Sequence, residues 1–411
     1  MTERLLTDSR PLLTKPMPMP TEGEAAMLAW CEWGREESPV CLDEKTGMWH
    51  LFRYADARLL FSDYKLFAAD FGAYASEGGA FDRGNLTQMD PPQHTKYRKL
   101  VGQAFSRTTV GALEPRIAKI TTDLLDAIDG AERVDLVEAL AYPLPVTVIS
   151  EMLGVPASDR DLFRLWADRI FDPSVDAAND ADSGDTIKAR VAPMQEYFHG
   201  HVRERRVSPR EDLITSLANA EVDGQRLDDE EIVTFLTILL IAGHITTTLM
   251  LGNTVRCLDE NPDAAAQLRA EPAAIPAAVE EALRLRPPFT ISARMTTTAV
   301  ELSGVTIPPH QPVTAWLNSA NRDPRAFTDP DRFDYLRHGP DADTRQHFAF
   351  GHGAHFCVGA PLARLEGRVA MGILLDRYAE IRLDDTDPFE YFANPGTNGA
   401  KRLPVVLKKA P

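Results

Sequence analysis

One stretch of this chain restricts its fold more than any other. From Asp228 to about Asn261 a single helical pattern runs for some thirty residues, and its middle is apolar on nearly every face. At 1.5 Å per residue such a rod is roughly 50 Å long, and a helix without a polar side has to be enclosed by other elements. A long central helix crossing the core is therefore predicted. Its longest apolar run, Ile232 to Ala242, is interrupted by Thr234 and Thr237 and falls far short of a bilayer span, so a core helix is expected and not a membrane helix.

The rest of the chain reads as helical in bulk and β in small pieces. Extended Met17 to Pro20 leads into Thr21 and Glu24, a capping-box signature ahead of the apolar-periodic stretch Ala25 to Trp33. Val40 to Leu51, with EKTG between two strand-like runs, reads as a β-hairpin. From about Gln93 to Leu217 helical periodicity is almost continuous, broken at Gly130, at Gly154-Val155-Pro156, in the Asp/Ser/Gly-rich span 173–185 and at Ser208-Pro209. After the long helix come β-like pieces around 290–316, an irregular Pro/Asp/Arg/Phe-rich stretch at 320–347, a helix at about 358–378 and terminal strands to 408. No repeat or linker divides these parts. The expectation is a single mainly α domain over residues 1–411, helical at about 90–286 and 358–378, with a small β-rich portion at about 40–65, 290–316 and 379–408.

A chain of 411 residues, 44% apolar, can bury a large core without disulfides or structural metals. Its four cysteines, Cys31, Cys41, Cys257 and Cys357, lie far apart with no CxxC pair, which favours a reducing, cytoplasmic setting. A net charge of −17 argues against nucleic acid, whose affinity comes from neutralised phosphates. The N-terminal MTERLLTDSR carries no apolar signal region, and nothing is expected to cross a membrane. No GxGxxG opens a βαβ unit and no flavin or iron–sulfur spacing is visible, so electrons from a nicotinamide would need an external carrier.

The sharpest chemical signal is the run Phe350-Gly351-His352-Gly353-Ala354-His355-Phe356-Cys357-Val358-Gly359, immediately before the helix-forming PLARLEGRVAMGILLDRY. A helix mouth presents unpaired N–H groups and a positive dipole, which favour a thiolate and suit Cys357 to be a nucleophile or metal ligand. Three glycines in this run let the backbone turn tightly and approach a flat, bulky partner. A zinc site from His352, His355 and Cys357 is a rival reading, weakened by crowded spacing and the lack of a fourth ligand.

In these residues the chain resembles the cytochrome P450 haem-thiolate monooxygenases, whose signature FxxGx(H/R)xCxG is matched at every fixed position from Phe350 to Gly359. The resemblance implies a P450 fold, haem b with Cys357 as axial thiolate, Phe350, Gly351 and Gly359 shaping its loop, and His355 bonding a propionate. Further motifs follow in family order. Glu281-Ala-Leu-Arg284 places acid and base three apart on one helix face, and the family's buried ExxR pair is joined by an arginine of the irregular stretch, here Arg332 in Asp329-Pro-Asp-Arg-Phe333. Its implied role is structural, holding the thiolate loop. Asp90-Pro-Pro-Gln-His94-Thr-Lys-Tyr-Arg98 resembles the propionate-binding helix and Arg294 matches a further propionate arginine. Carboxylates buried with a cofactor need such charge-assisted donors.

Ala242-Gly243-His244-Ile245-Thr246-Thr247 resembles the oxygen-binding segment (A/G)Gx(D/E)T(T/S), with Ile245 in place of the usual carboxylate. The resemblance gives Thr246 the hydroxyl that hydrogen-bonds dioxygen. Protons would then arrive through water held by Thr246, Thr247 and backbone opened near Gly243, or through a hydroxyl of the substrate. Read on its own, a threonine in an apolar helix bonds back to its i−4 carbonyl.

Substrate contacts in the family come from segments that here carry Phe71, Tyr74, Trp166, Phe171, Ile245, Phe289, Thr290, Ile291 and Asn394, mostly apolar or aromatic and so suited to a hydrophobic ligand. The resemblance further implies electrons from NAD(P)H through a reductase and a ferredoxin docking near Lys96, Lys99 and Arg107, and a monomer acting on a secondary metabolite such as a polyketide or macrolide, free or carrier-bound. Hydroxylation or epoxidation is the expected reaction. Oxidative coupling, dehydrogenation or peroxide-driven chemistry on the same haem is the alternative enzyme, and a haem sensor or carrier the non-enzymatic one.

Overall fold

The computed structural model describes residues 10–72, 84–102, 105–171, 187–222, 224–339 and 346–410. Helices used below are α1 (Glu24–Glu37), α2 (Tyr54–Ser62), α3 (Gln93–Gly102), α4 (Glu114–Asp126), α5 (Pro143–Leu153), α6 (Arg160–Phe171), α7 (Ile187–Val207), α8 (Asp229–Glu260), α9 (Ile275–Leu285) and α10 (Ala360–Arg377). Strands are β1 (Val40–Asp43), β2 (Met48–Leu51), β3 (Phe67–Ala68), β4 (Arg133–Asp135), β5 (Ile291–Thr296), β6 (Pro312–Trp316), β7 (Tyr378–Leu383) and β8 (Pro404–Lys409).

The long helix α8 forms as the apolar pattern requires. Asp228 Oδ1 accepts from Glu231 N–H and Glu231 Oε2 accepts from Asp228 N–H, both at 2.9 Å, so two orphan donors are satisfied reciprocally. Asp229, Glu230 and Glu231 in the first turn complement the helix dipole. By length and composition α8 could cross a membrane, but 72% of its apolar window is buried against protein. α5, α7, α9 and α10 pack around it.

The main sheet runs β1-β2-β6-β5-β3. The predicted hairpin is β1–β2, with Val40 opposite Leu51. β6 runs parallel to β2 and antiparallel to β5, with Val313 between Trp49 and Arg294. A second sheet, β7-β8-β4, joins the chain's end to a strand inside the helical half that periodicity did not reveal.

Two local expectations are corrected. Residues 54–62, placed in the β-rich portion, form α2, whose Tyr54, Ala57, Leu60 and Phe61 are buried at helical spacing. The Thr21–Glu24 capping box does not form, because Glu24 is drawn into ion pairs with Arg286 at 2.9 Å and Arg256 at 2.6 Å. Gly23 caps α1 with no side-chain bond. Burial would raise the Glu24 carboxyl, but those two arginines hold it down at about 2.

Candidate functional site

The loop ahead of α10 is shaped by its glycines. Gly351 and Gly353 lie at φ +68° and +70°, and a Cβ on Gly353 would sit 2.4 Å from Phe61 O at the end of α2. Only glycine fits there. Phe350 O accepts from Cys357 N–H at 2.8 Å, closing the turn that presents the thiol. Cys357 is accessible and lines a cavity of the protein. Burial raises its pKa, while the N–H groups of Gly359 and Ala360, then Arg98 and Arg364, act in the opposite sense. Sequence reasoning missed Arg364, whose guanidinium lies 4.6 Å from the Phe350 ring centre and pairs with Glu280 at 2.6 Å.

That cavity, of about 360 Å³, is walled by both the Cys357 loop and α8. Every residue assigned from sequence to the cofactor lines it: Phe350, Gly351, His355, Cys357 and Gly359 from the loop, Ala242 from α8, His94 and Arg98 from α3, and Arg294 from β5. The donor set fits a cofactor carrying two carboxylates. His94 and His355 lie with ring centres 4.2 Å apart and planes tilted by 44°, and the Nε2 of each is buried with no partner among the described residues. Arg294 Nη1 spends a bond on its own strand, donating to Ala293 O at 2.7 Å, and Arg98 donates to Phe356 O. Burial, then Arg294, His94 and Arg98, push His355 down to about 3. Two unpaired buried imidazole nitrogens beside two arginines leave anionic oxygen as the missing partner.

On α8, Thr246 Oγ1 donates to Ala242 O at 2.7 Å and Thr247 Oγ1 to Gly243 O at 3.2 Å. Thr246, Thr247 and Gly243 all line the cavity. The back-bond read from the bare sequence therefore forms at the cavity wall. The backbone opening expected near Gly243 is absent, since α8 runs through it as unbroken α-helix.

Glu281 and Arg284 are both fully buried and doubly bonded, each pair at 2.8 Å. Arg284 also donates to Asn321 O, Pro330 O and Arg332 O, tying α9 to the irregular stretch. The third member is corrected. Arg332 contributes only its carbonyl and is exposed, whereas Arg337 Nε at 3.0 Å and His338 Nε2 at 2.9 Å reach Glu281. A 3₁₀ turn, Tyr335–His338, following buried Phe333 brings both inward. Burial would raise Glu281, but Arg284 and His338 bring it to about 2.

The substrate assignments divide. Phe289 and Ile291 line the cavity. Ile245 does not: it packs on Leu249 and Phe392, because successive residues turn 100° and the cavity face of α8 is 242, 243, 246, 247 and 250. Trp166 is core, edge-on to Tyr197. Thr290 Oγ1 donates to Pro395 O at 2.7 Å and Asn394 Oδ1 accepts from Gly396 N–H at 2.8 Å, so both build the turn behind the cavity. Phe71 is half-buried and off the cavity wall. Tyr74 and the side chain of Phe171 lie outside the described residues. Leu86, Thr87, Phe235, Ile238 and Leu239 also line the cavity; they fall in segments expected to meet substrate, about 67–87 and the long helix, but were not singled out. Phe235 and Leu239 were within reach of reasoning, since they continue the helical spacing of Ala242 and Thr246.

A family profile described as Cytochrome P450 matches residues 43–395. The chain is 44% identical over 391 residues to the erythromycin C-12 hydroxylase of Saccharopolyspora erythraea, covering 94% of this chain and 96% of that protein. It is 42% identical over 394 residues to the cyclomarin C epoxidase CymV of Salinispora arenicola, covering 94% and 97%. A solved structure of a mutant of P450 EryK in complex with erythromycin B superposes with a TM-score of 0.87 at 41% identity, covering 96% of this chain and 99% of that one.

Proposed function

The chain belongs to the cytochrome P450 family and is a P450 monooxygenase, and from that premise we propose that it hydroxylates or epoxidises a hydrophobic macrocyclic secondary metabolite of the macrolide or cyclic-peptide kind. The observation that carries this reading is one cavity walled by Cys357, by Arg98 and Arg294, by His94 and His355 with their unpartnered Nε2 atoms, and by the threonines of α8, with apolar Phe235, Ile238, Leu239, Phe289 and Ile291 completing it. Bound haem b supplies one-electron iron chemistry and the activation of dioxygen.

The chain's own groups divide the remaining work. Cys357, its sulfur facing the N–H groups of Gly359 and Ala360 ahead of α10, would hold the haem iron through a thiolate. His94, Arg98, Arg294 and His355, all on the cavity wall, would hold the propionates. Glu281, Arg284 and Arg337 fix the strand of chain behind the loop. Thr246 commits its own proton to Ala242 O, so its oxygen lone pairs are offered to the cavity and accept a hydrogen bond from water or substrate there. With Ile245 turned into the core, no side chain at that position carries protons. Delivery rests on water at Thr246 and Thr247 or on a hydroxyl of the substrate.

We further propose that the whole chain acts as one monomeric cytoplasmic unit, taking electrons from NAD(P)H through a reductase and a ferredoxin. Exposed Lys99 and Arg107, with Lys96 bonded to Gln225, give the partner a basic landing face. The test is turnover with a surrogate ferredoxin and reductase on macrolide and cyclic-peptide panels under labelled dioxygen. One labelled oxygen atom per product is expected. Unlabelled dehydrogenated or coupled product would overturn the monooxygenase assignment.

A further inference from the structure

α10 leaves the cavity carrying a buried acid that does not itself line it. Leu362 and Ala363 line the cavity, and Glu366 follows four and three residues later, on the same stripe and about 5 Å further along the helix. Its side chain is 2% exposed, and Oε2 has no hydrogen-bond partner among the described residues. Several other interior carboxylates have cationic partners: Glu281 is matched by Arg284, Arg337 and His338, Glu280 by Arg364 and His347, and Asp212 by Arg205.

Charged groups do surround α10, but they are engaged with one another. On α10, Arg364 holds Glu280 of α9, Arg368 holds Glu114 of α4, and Arg377 holds Asp126 and Asp129. Arg269, on the helix Pro262–Ala270, donates to Tyr378 O, and Glu281 and Arg284 of α9 hold each other. α8 offers Met250, which would touch a Cβ at Gly367. None of these groups acts on Glu366. Burial alone raises its pKa to about 8, so it is a neutral acid near neutrality and a buried anion only in alkali.

We propose that Glu366 is a positioning residue for electron entry, an acid whose proton occupancy is coupled to the charge of the haem site one helical turn away. The inference rests on the haem reading above. When Glu366 is ionised, the electron that reduces iron(III) to iron(II) is accompanied by one proton from solvent, which forms the O–H bond on the carboxylate. No other bond changes. When Glu366 is already neutral, the electron enters without a proton. The physical cause is that an unpaired charge in an apolar interior feels a nearby change of one unit with little screening.

The test is a spectroelectrochemical titration of the haem-loaded protein between about pH 6 and pH 10. The wild-type midpoint potential is expected to be flat in the lower part and then to fall above about pH 8, with a slope of at most about 59 mV per unit, the value for one electron and a tenfold change. Glu366→Gln should be flat throughout. A wild-type potential flat to pH 10, or the same bend in Glu366→Gln, overturns the proposal. If that variant fails to bind haem, the redox infrared difference spectrum of the wild type decides. A carboxylic C=O band that shifts in heavy water and grows with pH supports the coupling, and its absence ends it. Failure of the haem reading would show separately, as a preparation without haem to titrate.

Discussion

Glu281 is fully buried and has four bonding partners: Arg284, Arg337, His338 and the N–H of Asp334. Removing one partner of such a pair leaves an uncompensated buried charge, which costs about 3–5 kcal/mol. Arg284→Ala should therefore yield protein depleted of haem. Arg337→Ala should lower Tm measurably, and exposed Arg332→Ala should stay within about 0.5 kcal/mol of wild type. Thermal unfolding of the three variants checks the order. Spacing placed Glu281 and Arg284 on one helix face, because an i,i+3 relation is local, but their burial as a pair was implied only by the family resemblance. The third arginine was misassigned because its direction depends on a 3₁₀ turn that no periodicity announces. Glu366 gives an opposite pH signature. Its folded pKa of about 8 lies above the ordinary 4.5, so the native state keeps a proton that the unfolded chain has lost. Its contribution therefore falls as pH rises between those values. Glu366→Gln should remove that decline, read as Tm against pH.

At the scale of elements, α8 was legible almost to the residue because its cap and its apolar faces are both local features. Asp228→Ala should cost about 1 kcal/mol through loss of the cap. Gly243 is not required by sterics, since a Cβ there meets only Ile149 at 3.6 Å. Gly243→Ala should therefore fold and gain up to about 1 kcal/mol of helix stability, measured by denaturant unfolding. Thr246→Ala removes the hydroxyl at the wall and should lower the fraction of NAD(P)H converted to product. Unchanged coupling would contradict its role. The substrate face was read poorly, because an apolar side chain on a helix serves core and cavity equally well. Trp166 and Ile245 went to the core, while Phe235 and Leu239 took the cavity.

Over the whole molecule, a charge of −17 surrounds a face where Lys99 and Arg107 are exposed. Charge reversal at either should slow ferredoxin-driven turnover at low salt and matter less at high salt, where screening shortens the reach of the field. Peroxide-driven turnover should not change. The cofactor side of this molecule was legible through motifs that the chain shares with the family, from Phe350 to Gly359 and from Asp90 to Arg98. The partner face and substrate have no such motifs. The central claim is that Cys357 bonds iron through sulfur, and the most direct measurement is the absorption of the purified, reduced protein under carbon monoxide. A long-wavelength Soret band of the thiolate-ligated type is predicted, abolished by Cys357→Ala. A band diagnostic of imidazole ligation in intact protein, or a preparation that takes up no haem, would contradict the account.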